Sequence, residues 1–484
     1  MPQRKDYPGA LHDEAWRRLV APAGYQNPKP QPRYHLIVIG AGPAGLVIAI
    51  AAAGLGAKVA LVEQHAMGGD CLNVGCVPSK SLLEFTAHAR GDFDAAFTWL
   101  RGVRARIAEH DSVERYRQAG VDVFLGHARF VDAATVQVGS VALKGRRMAI
   151  ATGTRAALPP IPGLAESKPL TNETVFDLHE RPKRLVILGA GPVGCELAQA
   201  FARLGVAVHV IEAAERILVN ESAEAAALVA ETLRAAGVTL HLGARVAKIA
   251  RRAGQFLVSA AHEEIAGDQL LVAAGRRANT EELNLPAARV DVEEDGQIAV
   301  DKYLRTSNPR IFAAGDVCAK LKFTHHADAH ARIVVQNALF LPTATTRKLV
   351  IPRCTFTDPE LAQIGPTRAE LEREGATFDS YRVAYNEMDR GKTQGDRHGY
   401  VEIFTARGGS RILGATIVGR DAGEQIASVC QAMANGLGVD GFGKAVLPYP
   451  TRAETLRRVA DQYNRRRLTP TAQRLFGTWF RWTL

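Results

Sequence analysis

The chain has 484 residues, 47% of them hydrophobic, enough for about three domains with cores of their own. Its 60 basic and 50 acidic side chains leave a net charge of +10, concentrated in residues 451–484, where eight arginines face only Glu454 and Asp461. The near balance elsewhere argues against a nucleic-acid partner, the six irregularly spaced cysteines are no secreted disulfide framework, and no apolar run reaches the roughly 18 residues of a membrane span.

Residues 1–33 are polar and proline-rich and read as an N-terminal extension. They lack the apolar segment of a secretory signal, so a cytoplasmic location is expected. Glu14–Val20 suits a short helix, after which Pro22, Pro28, Pro30 and Pro32 break regular structure. His35–Ile39 is a continuous apolar run, as in a parallel strand buried on both faces. It enters Gly40-Ala41-Gly42-Pro43-Ala44-Gly45, then a small-residue helix, then a second strand, Val59–Glu63. The same order returns where Leu185–Leu188 enters Gly189-Ala190-Gly191-Pro192-Val193-Gly194, a helix and the strand Val206–Glu212. In both copies the first glycine and the closing glutamate lie 23 residues apart. Thr152–Gly163, rich in proline, connects them. Beyond about residue 348 the alternating segments Tyr400–Phe404 and Ile412–Val418 read as antiparallel sheet, and Ala422–Ala434 as a helix. The expected fold class is α/β, with two Rossmann-like nucleotide-binding domains and a C-terminal α+β domain.

The glycines have distinct tasks. Gly40 and Gly189 make the tight turn, Gly42 and Gly191 let backbone approach a pyrophosphate, and Gly45 and Gly194 permit close helix–strand packing. The helix N-terminus offers free N–H groups to the phosphates. Glu63 and Glu212 can accept hydrogen bonds from ribose hydroxyls. A carboxylate at Glu212 would repel a 2′-phosphate, which favours NADH over NADPH; Arg216, close by in sequence, tempers that preference.

Less than 30 residues after the first motif comes Gly68-Gly69-Asp70-Cys71-Leu72-Asn73-Val74-Gly75-Cys76-Val77-Pro78-Ser79-Lys80. Cys71 and Cys76 could be buried small hydrophobes, half of a metal site or a structural disulfide. Zinc would need two further clustered ligands, and only His65 and His88 are near, at no recognisable spacing. A structural disulfide does not suit a cytoplasmic chain. The flanking glycines allow close approach to a planar ring, and Lys80, one turn past Cys76, would stabilise a thiolate. A dithiol beside a flavin-type nucleotide fold can hold two electrons.

This run resembles the active-site disulfide of the pyridine nucleotide-disulfide oxidoreductases, a family that includes lipoamide dehydrogenase, glutathione reductase and mercuric reductase. The likeness extends over residues 34–460. Ala151-Thr152-Gly153 is similar to the family's second flavin-domain signature, and Ala274-Gly275-Arg276-Arg277-Ala278-Asn279-Thr280 to the stretch returning from the nicotinamide domain. Ala313-Ala314-Gly315-Asp316-Val317 resembles the flavin-ribityl motif, and Thr355–Glu360 the opening of the dimerisation domain. The resemblance implies FAD held by Gly40, Gly42, Gly45, Glu63, Gly69, Lys80, Gly153, Gly315 and Asp316. It implies NAD(P)H held by Gly189, Gly191, Gly194, Glu212 and Gly275. It further implies a homodimer, with an FAD-binding domain at 34–158 and 276–347, an NAD(P)-binding domain at 159–275 and a dimerisation domain at 348–464. Cys76 would then be the flavin-side, charge-transfer thiolate and Cys71 the interchange thiol, with Lys80 and Glu196 paired near flavin and nicotinamide.

One departure bears on the acceptor. Disulfide-reducing members carry a His-Pro…Glu pair near the C-terminus, whereas this chain has Pro448-Tyr449-Pro450-Thr451-Arg452-Ala453-Glu454. A phenol with a pKa near 10 is a poor proton shuttle. Mercuric reductases resemble the chain at Tyr449 and along Glu196–Gly205. Their C-terminal cysteine pair is missing, since the last cysteine is Cys430. The expected activity is mercuric-reductase-like reduction of a metal–thiol or small-molecule acceptor at the dimer interface. The alternatives are lipoamide-dehydrogenase-type disulfide reduction, or a flavin diaphorase or oxidase with vestigial cysteines. His325 could substitute as proton donor, although helix-start packing is the plainer role. No metal site is expected, His326 and His330 lacking clear further ligands. The basic aromatic tail 465–484 suits either peripheral contact with an anionic membrane or, by preference, a terminal helix docked on the protein itself, with Gly477 weakening either helix.

Overall fold

The computed structural model describes residues 9–261 and 263–483, so the first eight residues of the expected extension, His262 and Leu484 of the tail lie outside the described residues. The chain divides into two compact units. The first comprises Met1–Ala190, Glu196–Ala213 and Gly237–Leu349, and the second Gly191–Cys195, Ala214–Ala236 and Val350–Leu484.

The first unit opens with helix α1 (Ala10–Val20), which starts before the expected Glu14. Strand β1 (Tyr34–Ile39) then enters the first glycine turn and helix α2 (Pro43–Gly54), followed by β2 (Val59–Glu63). Pro43 suits the first helical turn, where its missing N–H has no partner to lose. Helices α3 (Gly69–Asn73), α4 (Cys76–His88) and α5 (Phe93–Ala108) precede β3 (Val121–Leu125). The antiparallel strands β4 (Ala128–Asp132), β5 (Thr135–Val138) and β6 (Val141–Ile150) complete a seven-stranded sheet with order β3-β2-β1-β6-β5-β4, which β16 (Ile311–Ala313) joins through β6. Leu36, Val38 and Leu61 fill one face against α2 and the helix Thr324–Leu339, while Ile37, Ile39, Ala60 and Val62 fill the other. Burial on both faces explains the unbroken apolar runs.

The edge strand β3 is not left bare. The Asn27 amide donates to Leu125 O at 3.0 Å, its oxygen accepts the Leu125 N–H at 2.7 Å, and the Tyr25 hydroxyl donates to Val123 O at 2.9 Å.

Within the expected connection, β7 (Thr154–Ala156) pairs antiparallel with β15 (Arg276–Ala278). A parallel four-stranded sheet, order β10-β9-β8-β14, is built from β8 (Arg184–Leu188), β9 (Ala207–Ile211), β10 (Thr239–His241) and β14 (Gln269–Val272). Between these, β11 (Val246–Arg252), β12 (Gln255–Ala260) and β13 (Glu263–Gly267) form an antiparallel sheet.

The second unit carries a five-stranded antiparallel sheet, order β17-β18-β21-β20-β19, from β17 (Arg353–Thr355), β18 (Glu360–Ile364), β19 (Phe378–Ala384), β20 (Tyr400–Ala406) and β21 (Ile412–Gly419). The helices Ala422–Ala434 and Glu454–Arg467 bury Ile426, Val429, Leu456 and Val459 in its core. The terminal helix Pro470–Trp482 is N-capped by the Thr469 hydroxyl and runs straight through Gly477. No residue of it is buried, so the tail is not docked on its own chain as preferred above.

Candidate active site

The two glycine turns are built alike. Gly40 (φ +99°) and Gly189 (φ +103°) stand where a Cβ would meet the carbonyl oxygens of Ala151 at 2.3 Å and Ala273 at 2.6 Å. In each copy the closing glutamate ties back the turn's second residue. Ala41 N–H donates to Glu63 Oε2 and Ala190 N–H to Glu212 Oε2, both at 2.8 Å. Glu63 also accepts the His65 N–H, and burial pushes its carboxyl above the usual range. Arg216 spends its guanidinium on the carbonyl oxygens of Ile217, Leu218, Val219 and Glu221.

The dithiol run folds against the first turn. Gly69 adopts φ +57°, and a Cβ there would come within 2.6 Å of Gly42 Cα. Any larger residue would push the cysteine segment off the cradle. Cys71 lies in the single turn α3; Cys76 is the first residue of α4, where unpaired N–H groups favour negative charge. Both are free thiols. The Cys71 thiol hydrogen-bonds to Cys76, which lowers the Cys76 pKa to about 6, with Lys80 and Thr324 helping and burial and Glu196 opposing. The same hydrogen bond, with burial, pushes the Cys71 thiol up. Thr324 Oγ1 lies 3.6 Å from Cys76 Sγ. Lys80 Nζ donates to Glu196 Oε2 at 2.7 Å, and the Glu196 side chain is only 3% exposed.

Gly315 (φ +76°) packs against Ala44 and Ala327, and its N–H donates to Nδ1 of the buried His330. Burial, with His326 nearby, lowers the His330 pKa to about 4. His326 Nδ1 faces Leu321 O at 2.8 Å, the His325 ring stacks on Phe323, and no metal-binding cluster occurs among the described residues. Burial raises the Asp316 carboxyl, which accepts from Thr154 Oγ1 at 3.4 Å. Arg276 in turn donates to Thr154 Oγ1 and O and pairs with Asp70. Gly153 O accepts the Asn279 N–H and Gly275 O the Ala157 N–H, fastening the crossing strands β7 and β15.

The first unit thus brings together Cys71, Cys76, Lys80 and Glu196, and gathers Gly40, Gly42, Gly45, Glu63, Gly69 and Gly315 around one turn. Gly191 leaves its side-chain position open, and Gly194 is buried in the helix Pro192–Arg203. Tyr449 and Glu454 belong to the second unit. Tyr449 is 70% exposed, and its hydroxyl donates to Asp389 Oδ2 at 2.8 Å; that bond raises the phenol's pKa and lowers the Asp389 carboxyl. Glu454 Oε2 instead accepts the Thr451 N–H. Sequence reasoning missed Thr324, Asp389 and the Asp70–Arg276–Thr154 network. Asp70 and Arg276 stood inside quoted motifs and Thr154 and Thr324 beside quoted residues, but Asp389 had no local signal, and each partner lies far along the chain.

Paired dinucleotide turns with a dithiol laid across the first define a class, the flavin- and nicotinamide-type dithiol oxidoreductases. Residues 34–331 match the pyridine nucleotide-disulphide oxidoreductase family and residues 351–460 its dimerisation domain. The chain belongs to this family. A mercuric reductase of Streptomyces lividans is 34% identical over 89% of this chain and 96% of its own length. Dihydrolipoyl dehydrogenase 3 of Haloarcula marismortui is 31% identical over 88% and 95%. Among solved structures, the HOCl-induced flavoprotein disulfide reductase RclA of Escherichia coli, in a Cu(II) complex, superposes with a TM-score of 0.83 at 30% identity, covering 89% of this chain and all of the other.

Membership implies FAD and NAD(P)H, and the residues fit. At Gly40, Gly45 and Gly69 a Cβ would collide with neighbouring backbone, so glycine there permits the tight first turn, and Gly42, with no side chain, leaves backbone open to a pyrophosphate. Among the described residues no helix is long and apolar enough to cross a membrane.

Proposed function

We propose that the chain is an FAD-dependent NAD(P)H oxidoreductase whose Cys71–Cys76 pair reduces an acceptor at the interface of a homodimer, in the manner of mercuric reductase. The observation that carries this reading is the geometry of the pair: Cys76 opens α4 with Thr324 and Lys80 close by and Cys71 hydrogen-bonded to it, which lowers the Cys76 pKa and raises that of Cys71. When bound by the first glycine turn, Glu63, Gly153 and Asp316, FAD supplies two-electron transfer from the nicotinamide held at the second. Lys80, fixed by Glu196, keeps a cation beside Cys76. With a disulfide acceptor, Cys71 sulfur bonds to one acceptor sulfur and expels the other as a thiolate. Cys76 then attacks Cys71, closing the Cys71–Cys76 disulfide and releasing the second thiolate; the acceptor gains two electrons, and its two thiolates take up the proton that Cys71 gives up and one more from solvent. With a soft metal ion as substrate, the two sulfurs are ligands that displace its carrier thiols.

Tyr449 weighs between these acceptors. Its hydroxyl proton is held by Asp389 above the ordinary phenol range, which makes it a weaker acid toward a departing thiolate. That favours the metal–thiol acceptor. The Glu212 carboxylate and the internal engagement of Arg216 favour NADH. The exposed tail helix favours peripheral contact with an anionic membrane.

The test is anaerobic NADH consumption by the purified protein with Hg(II)–thiol complexes and a panel of small disulfides. Acceleration by Hg(II), abolished in Cys71→Ala, supports the reading. Turnover that survives Cys71→Ala moves the protein to the diaphorase alternative, and acceleration by a disulfide alone to the disulfide-reductase one.

A further inference from the structure

Asn73 lies between the two cysteines, and almost everything that holds it comes from outside the dithiol run. It is buried, and its side-chain amide donates to Met67 O at 3.0 Å. Its oxygen accepts from Trp16 Nε1 at 2.8 Å, and its backbone carbonyl from Arg104 at 3.2 Å. Trp16 belongs to α1, and the Arg104 guanidinium lies over its ring, 4.1 Å from the centroid. Arg104, 1% exposed, pairs with Asp13 of α1 at 2.5 Å, and Asp13 also meets Arg101 at 3.3 Å. Val20, the last residue of α1, accepts the Met67 N–H. A buried ion pair, a ring–guanidinium stack and a side-chain hydrogen bond therefore converge on one residue between Cys71 and Cys76. All come through α1, which precedes the residues that match the family.

We infer that α1 is a positioning element of the dithiol, with Trp16 as its positioning residue. By fixing Asn73 it fixes the turn that joins Cys71 to Cys76, and so the distance at which their sulfurs meet. Loosening the turn lowers the effective concentration of one thiol at the other and weakens the bond that keeps Cys76 a thiolate. This rests on reading Cys71 and Cys76 as a redox pair.

The test compares the full chain with Trp16→Phe, which keeps a ring for Arg104 to stack on and removes the indole N–H that donates to Asn73. The flavin-loaded protein is equilibrated in glutathione redox buffers, where two thiols become one disulfide as glutathione disulfide becomes two glutathiones. The state of Cys71 and Cys76 is read by alkylation and peptide mass, with the pH profile of Cys76 alkylation measured beside it. Trp16→Phe should shift the disulfide equilibrium toward the dithiol roughly three- to tenfold, the weight of one hydrogen bond, and raise the Cys76 alkylation midpoint. Tyr25→Phe, which removes a bond from the same extension to Val123, should leave both unchanged. If Trp16→Phe behaves like Tyr25→Phe, the inference is overturned, whatever the melting temperature does. Should Trp16→Phe not yield folded protein, Asp13→Asn carries the same two outcomes. Neither readout needs turnover, so failure here is distinct from failure of the acceptor reading.

Discussion

Cys76 and Lys80 are the residues whose chemistry can be tried without knowing the acceptor. A thiol held near pKa 6 is charged above that pH and neutral below it, so carbamidomethylation of the reduced protein should rise through about pH 6 at Cys76. Cys71, whose pKa is raised by the same bond and by burial, should react at higher pH than Cys76. Lys80→Met should move the Cys76 midpoint upward, and Cys71→Ala should move it further, because the Cys71 hydrogen bond is the larger influence. Equal shifts from the two variants would contradict that ranking. Lys80→Met also removes the cation paired with the buried Glu196 carboxylate. Its thermal destabilisation should fall short of the ~3–5 kcal/mol of a fully buried pair, since Lys80 is 34% exposed. The cysteines and the lysine stood out in the sequence through their local spacing, and the Lys80–Glu196 pair through the family resemblance alone, since 116 positions separate them. Thr324 and Asp389 were not, because they meet Cys76 and Tyr449 across 248 and 60 positions.

The duplicated strand–turn–helix element allows each half to be damaged separately. Gly40→Ala and Gly189→Ala both put a Cβ into a carbonyl oxygen at a left-handed φ, which costs at least about 1–3 kcal/mol locally. The expected outcomes differ by copy. Gly40→Ala should lose bound flavin, seen as visible absorbance per protein, whereas Gly189→Ala should keep it and raise the KM for NADH. Loss of flavin from Gly189→Ala alone would reverse the assignment of the turns. Strands such as Val59–Glu63 were readable because burial on both faces leaves an unbroken apolar run. The helix Ala422–Ala434 was readable from its period. At the termini the reading fell short. The turn from Ala10 to Asp13 has few apolar residues and is anchored by arginines some 90 positions away, which no local pattern announces. Gly477 does not interrupt the tail helix, because one glycine costs only about 1 kcal/mol against a Thr469 cap and Pro470 in the first turn.

For the whole molecule, the membrane question turns on the tail. Leu475, Phe476, Trp479, Phe480 and Trp482 lie on one face of the terminal helix and all are exposed, while Arg474 and Arg481 lie on the other. Arg465, Arg466 and Arg467 precede it, and 465–484 holds no acidic residue. The full chain should co-sediment with phosphatidylglycerol vesicles and release at high salt, and a chain lacking 465–484 should stay in the supernatant. Equal partitioning of the two would remove the tail from the account. At the opposite terminus, Asn27 offers Leu125 one donor and one acceptor, the two bonds that a neighbouring strand would give it. Anyone trimming the chain to the residues that match the family would remove this stand-in and bare the sheet's flank. Such a fragment would keep every glycine of the first turn and still be prone to self-association through β3, failing by aggregation rather than by any defect in its chemistry.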